Sequence, residues 1–192
     1  MNVYDFDGTI YNGDSSVDFY IFSVKKNPLI LCYVPKQAWG VVLYHFKRID
    51  KTKLKEYFFS FLSKIDTAEM VDCFWKKHQN NIQKWYLDQR QSDDIVISAS
   101  PEFLLKPICK NLGITRLIAS HVDYRNGKFD GPNCKGEEKV TRLMREYSVS
   151  QIDSFYSDSV SDQPLADISN KAFLVIKGEI KEWKNGYDCK TS

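Results

Sequence analysis

The residues able to do chemistry begin at the fifth position. Asp5-Phe6-Asp7-Gly8-Thr9 follows a short apolar stretch, Asn2-Val3-Tyr4, and sets two carboxylates one residue apart at the end of an expected strand. Strand residues two apart point to the same side, so both charges aim into one small volume. Like charges that close repel unless a cation lies between them, or unless one takes a proton and becomes a general acid. A carboxylate nucleophile, an acid/base partner and a magnesium ion together satisfy this pattern. A calcium loop also opens Asp-x-Asp, but its glycine belongs at the sixth position, which here is Ile10. Only four residues precede Asp5, too few for the helix that enters such a loop.

Further polar groups follow the later strands. The apolar run 95–97 reads as a strand buried on both faces and ends in Ser98-Ala99-Ser100. Ser100 is placed as the N-cap and Pro101 as the first residue of a helix that stops at Gly113. A hydroxyl beside free helix amides suits a phosphate. Phe155-Tyr156 leads into Ser157-Asp158-Ser159-Val160-Ser161-Asp162, which adds two carboxylates. Lys135 and Lys139 flank the start of a helix at Gly136. Open α/β sheets carry their sites at the carboxyl ends of the strands, so four carboxylates, a serine and a lysine are expected to converge on one sheet edge.

The elements that must position these groups alternate between strand and helix. Strands are expected at 2–4, 95–97, 117–119, 155–156 and 173–176, a helix at 137–147, and a β-hairpin at 122–129 turning at Asn126-Gly127. Such alternation predicts an α/β protein: a Rossmann-like three-layer core with a parallel sheet and right-handed crossovers. The core takes residues 1–12 and 91–192, and a helical cap of residues 13–90 is inserted after the first strand. In the cap, Val17, Tyr20, Ile21 and Val24 share a helical face closed by Pro28. Leu54, Tyr57, Phe58, Phe61, Leu62 and Ile65 form a second stripe. Asp66 and Glu69 make a capping box for a helix bearing Val71, Phe74, Trp75, His78, Ile82 and Trp85 on one face. Residues 29–46 are unusually apolar and aromatic, and Pro35 and Gly40 are expected to break them. Two readings stay open for that stretch: cap interior, or an amphipathic surface touching lipid between Lys25, Lys26, Lys36, Lys47 and Arg48.

The whole chain bounds these ideas. Its 192 residues, 43% of them hydrophobic, suffice for one real core and a modest insertion. A net charge of +2 gives no electrostatic footprint for nucleic acid. Cys32, Cys73, Cys109, Cys134 and Cys189 are scattered without metal spacing and read as reduced thiols of a cytoplasmic protein. A start running straight into Asp5 and Asp7 leaves no room for a secretory signal, and no apolar stretch reads as a membrane span. His45, His78 and His121 show no ligand spacing.

Taken in order, Asp5-Phe6-Asp7-Gly8-Thr9, Ser98, residues 134–140 and Asp158-Ser159-Val160-Ser161-Asp162 resemble the four motifs of the haloacid dehalogenase superfamily of phosphatases. The insertion between the first two resembles the phosphoserine-phosphatase-like branch. The resemblance implies a magnesium-dependent hydrolysis of a phosphomonoester. Asp5 attacks phosphorus and becomes an aspartyl phosphate, and Asp7 acts as acid and then as base. Thr9 stands in the substrate pocket helping to hold Asp7, and Ser98 with a lysine binds the phosphoryl oxygens. Asp5, the Asp7 carbonyl and Asp158 hold Mg2+, with Asp162 in support. An Asn-Ala-Lys-Gly-Glu pattern favours Lys135 and a Cys-x-Gly-x-Glu-Lys pattern favours Lys139, and the reading leans to Lys139. Asp14 stands where phosphoserine phosphatases carry a glutamate that reads the substrate's amino group.

The apolar 29–46 segment, Tyr156-Ser157-Asp158-Ser159 and Cys134-x-Gly136-x-Glu138-Lys139 also resemble C-type phosphatidylglycerophosphatases. That implies a phospholipid-precursor phosphatase at the membrane surface as an alternative, with the protein peripheral at the inner membrane face. The alternative of another class is an inactive family member serving as a binding module. The expected partner is a phosphorylated small molecule or a lipid phosphate.

Overall fold

The computed structural model describes residues 1–148 and 151–183. Its strands are β1 (Asn2–Tyr4), β2 (Ile95–Pro101), β3 (Arg116–Ser120), β4 (Ser154–Ser157), β5 (Lys171–Ile176) and β6 (Glu179–Glu182). They form one six-stranded sheet in the order β3-β2-β1-β4-β5-β6, parallel except for the antiparallel edge strand β6. The helices are α1 (Ser15–Lys26), α2 (Val34–His45), α3 (Lys51–Phe59), α4 (Thr67–His78), α5 (Lys84–Gln89), α6 (Glu102–Asn111), α7 (Glu137–Glu146) and α8 (Gln163–Ile168).

Side-chain alternation explains the layering. On one face of the sheet Tyr4 and Val96 pack with α6 through Leu104, Leu105 and Ile108, and with the insertion through Phe19, Phe74 and Trp75. On the other, Val3, Ile95 and Ile97 pack against Leu143 of α7 and Leu165 of α8. The mixed α/β class, the mostly parallel sheet and the layers of helices agree with the fold expected from the alternation of elements.

Several local expectations change. β2 runs through Ser100 to Pro101, and Pro101, not Ser100, precedes α6. Ser100 is thereby kept at the strand end, where its hydroxyl serves the site. Residues 122–129 form a single bridge, Val122 to Phe129, rather than two strands. β6 has no signature in the sequence because an exposed Glu-Ile-Lys-Glu edge carries charge instead of apolar alternation. Its turn, Lys177-Gly178, has both φ values positive (52° and 84°), as a two-residue hairpin requires.

In the insertion, α1 buries Phe19 and Phe22, while Val17 and Ile21 are exposed, so the expected face is rotated. Asp66 accepts from the Glu69 amide and caps α4, whose Val71, Phe74 and Trp75 are buried; Ile82 and Trp85 lie beyond that helix. Residues 29–46 are not broken. A 3-10 turn (Pro28–Tyr33) leads into α2, Pro35 sits in its first turn, and Gly40 lies where an added Cβ would come 2.5 Å from Tyr57 of α3. Cys32, Cys73, Cys109 and Cys134 are free thiols, and Cys189 lies outside the described residues.

Candidate active site

β1 ends one residue before the first carboxylate, and the Asp5 amide continues the ladder by donating to the Tyr156 carbonyl at 2.8 Å. Gly8 then turns the chain at φ +70°, and a Cβ there would sit 2.0 Å from Asp158 Oδ2. That close approach brings the turn after β1 against the loop after β4, so two distant parts of the sequence share one site.

Lys139, from the first turn of α7, is 2% exposed and donates to Asp5 Oδ1 at 2.8 Å and Asp162 Oδ2 at 2.6 Å. Ser157 Oγ donates to the same Asp162 oxygen at 2.8 Å. Burial alone would push the ammonium toward its neutral form; the two carboxylates more than offset this and hold it charged. Burial in turn raises Asp5 above the usual carboxylate range, and Lys139 opposes that rise. Gly136 opens α7 at φ +58°, a backbone conformation that favours glycine, and so sets the angle from which Lys139 enters.

Asp7 has different partners. Its Oδ1 accepts from the Ser15 amide at 2.7 Å and its Oδ2 from the Ser100 hydroxyl. Desolvation raises its carboxyl to about 7, and the hydrogen bonds from Ser100 and Ser15 pull the other way. Asp7 is therefore poised to carry or release a proton near neutrality. Thr9 does not hold it: that side chain is fully buried and its hydroxyl has no hydrogen-bond partner among the described residues. Ser98 is buried at the cavity wall, its hydroxyl accepting from the Ser100 amide at 3.1 Å.

The raised Asp7 value has a consequence for stability. The folded chain keeps this proton where the unfolded chain, with an ordinary carboxylate near 4, has lost it. Stability therefore falls as pH rises from about 4 to about 7. Asp7→Asn should melt above wild type at pH 8, with the gap closing toward pH 4; chemical denaturation at several pH values checks this.

Asp158 is exposed to the cavity and has no ion pair among the described residues. Desolvation first, then Asp5 and Asp162, raise it to about 6. Asp162 accepts from both Lys139 and Ser157, Asp5 accepts from Lys139 through Oδ1 alone, and Asp5, Asp158 and the Asp7 carbonyl are the candidate oxygen donors for a cation. Among the described residues no group of three or more His, Cys, Asp or Glu side chains is arranged as a metal cage. Two carboxylates and a carbonyl nonetheless fit magnesium, a hard cation that keeps several waters and takes few protein ligands. The uncompensated negative charge at Asp158 is what such a cation would neutralise.

These groups line a cavity of about 880 Å³ between the sheet edge and the helices α1, α2 and α3. Lys135 and Lys139 both reach it but differ in role: Lys139 is locked to Asp5, whereas Lys135 is half-buried and lowered by its hydrogen bond with Lys51, then by desolvation and the charge of that neighbour. Asp14 lines the cavity while its Oδ1 caps α1, accepting from the Ser16 and Val17 amides at 3.0 Å each. Sequence reasoning missed Lys55. From α3 it donates to the Ala99 carbonyl at 2.8 Å and to Asn133 Oδ1 at 2.9 Å, bridging insertion and core. Burial pushes it down to about 8, with Asp7 and Asp14 pulling it back up. Its only trace in the sequence is that it shares a helix face with Lys51, four residues earlier.

The model of the haloacid dehalogenase-like hydrolase family matches residues 3–167, which include every site residue described above. The chain belongs to that family. This hydrolase is 24% identical to the histidinol-phosphatase of Neisseria meningitidis serogroup C, over 91% of the chain and 89% of the relative. It is 27% identical to protein CicA of Caulobacter vibrioides over 92 residues, which are 44% of the chain. The chain spans 41% of the length of CicA in that match. A substrate-bound phosphoserine phosphatase structure superposes with a TM-score of 0.59 at 13% identity, covering 88% of this chain and 82% of that one.

Proposed function

We propose that this hydrolase is a magnesium-dependent phosphomonoesterase working through a phosphorylated Asp5. The observation that carries the reading is the division of labour between the two leading carboxylates. Asp5 is paired directly with the buried Lys139 ammonium, while Asp7 is raised to about 7 by burial and held separately by Ser15 and Ser100. One is a nucleophile and the other an acid/base group. The named phosphatases among its relatives support the same class.

In the first step an Asp5 oxygen bonds to phosphorus, the phosphorus–oxygen bond to the alcohol breaks, and Asp7 gives its proton to the leaving oxygen. In the second step Asp7, now ionised, takes a proton from water as that water attacks the Asp5 phosphoryl group, releasing inorganic phosphate and restoring the Asp5 carboxylate. Lys139 fixes the attacking carboxylate and stabilises charge on the phosphoryl oxygens, and Ser98 stands at the cavity wall to bind them. Magnesium held by Asp5, Asp158 and the Asp7 carbonyl would neutralise phosphoryl charge, with Asp162 acting through Lys139.

Para-nitrophenyl phosphate should be turned over with magnesium and not in excess chelator. Asp158→Ala should raise the magnesium needed for half activity by about tenfold or more, since one of two direct carboxylates is lost. Full turnover in chelator would refute the metal role, and no turnover under any metal would favour an inactive binding module.

A further inference from the structure

α2 is poorly covered by the rest of the protein. Gly40 is its one buried residue, while Trp39 is 57% and the adjoining Phe46 69% exposed. Among the described residues, ten of the fifteen exposed large apolar side chains fall between positions 17 and 46. Scattered exposed apolar residues need no explanation, but such a concentration marks an interaction surface. The charge carried by this stretch of chain has one sign. Residues 19–49 contain no aspartate or glutamate, although acids make up 25 of the 192 residues, and they carry Lys25, Lys26, Lys36, Lys47 and Arg48.

The same helix reaches the active site. Val41 belongs both to the wall of the catalytic cavity and to an adjoining surface groove formed with Lys47, Arg48 and Asp50. Val34 and Ala38 line the same cavity as Asp5. No described helix is long and apolar enough to cross a membrane, so contact through this face is interfacial.

We propose that the outer face of α2 docks on an anionic lipid bilayer and that the ester it delivers to Asp5 has a long apolar alcohol. The substrate part rests on the phosphatase reading above. Apolar side chains flanked by five cations, with Asp50 of the groove as the acid nearest α2 in sequence, complement a negatively charged lipid surface, whereas protein partners offer charges of both signs. A phosphate at Asp5 then has Val34, Ala38 and Val41 in the wall of the same cavity for its chain to pack on.

Sedimentation with phosphatidylcholine vesicles, with and without phosphatidylglycerol, tests the surface. The protein should bind the anionic vesicles and be released by high salt. Lys47→Gln with Arg48→Gln should weaken binding by about thirtyfold, since each cation near such a surface contributes about fivefold. Trp39→Ser with Phe46→Ser should weaken it at least tenfold and slow hydrolysis of dodecyl phosphate held in those vesicles. Turnover of para-nitrophenyl phosphate should stay unchanged, because neither residue lines the cavity. Para-nitrophenyl phosphate turnover without vesicle binding overturns the docking proposal and leaves the phosphatase reading standing. Vesicle binding without turnover of either ester supports the surface and overturns the substrate assignment. A wild-type dimer that the Trp39 and Phe46 changes dissociate overturns it in favour of a second copy of the chain.

Discussion

Asp5→Asn should reduce turnover by on the order of 10⁴-fold or more, the loss expected when a covalent nucleophile is removed. An amide nitrogen or oxygen at this position cannot form the acyl phosphate. The side chain is nearly isosteric, so it still accepts from Lys139 through its carbonyl oxygen, and Lys139 keeps Asp162. Folding should therefore survive the change, which separates loss of chemistry from loss of structure. Removing a buried carboxylate whose ionisation is opposed by desolvation also lowers the cost of burial. Two measurements decide the matter. Steady-state turnover should vanish while the melting temperature is unchanged or higher. Rapid quench of the wild type with substrate should trap phosphate on the protein, and the variant should trap none. Wild-type turnover by Asp5→Asn would falsify the mechanism.

Lys139→Met should be the most destabilising change in the site. It leaves the volume largely filled but strands Asp5 and Asp162, both buried, with no cation between them. Breaking a buried ion pair by removing one partner costs about 3–5 kcal/mol, because the remaining charge is desolvated and unpaired. For a chain of this size that lowers the melting temperature by roughly 6 to 20 °C. The deficit should shrink as pH falls, since protonation of the two stranded carboxylates removes the repulsion. Added magnesium should also narrow it by supplying positive charge beside Asp5. A deficit independent of both pH and magnesium would mean that Lys139 acts through packing alone. Turnover should fall and be restored by neither treatment, because the phosphoryl group loses its fixed cation.

The sequence by itself determined which polar groups stand at the strand ends. Carboxylates spaced two apart, and polar residues directly after apolar runs, are local patterns, so Asp5, Asp7, Ser98 and Asp158 could be read without knowing the fold. The parallel sheet was legible for a related reason. Strands buried on both faces need continuous apolar runs, as in residues 95–97, and helices between them force crossovers. Edge strand β6 was not legible, because an exposed strand is under no pressure to be apolar.

What only the tertiary structure decided is which polar groups meet. Lys135 and Lys139 each match a motif in sequence, and the sequence only leans to Lys139. The φ of Gly136 and the path of α7 aim Lys139 between Asp5 and Asp162, 134 and 23 residues away. The partners of Asp7 were likewise hidden: Ser100 was expected to cap a helix, and Thr9 to do what Ser15 and Ser100 do. Lys55 joins the site through contacts 44 and 78 residues distant, which no spacing rule encodes. Burial was the other missing quantity. An apolar helix such as α2 looks the same in sequence whether it fills a core or faces outward, and only the packing of α3 against Gly40 alone leaves Trp39 and Phe46 exposed.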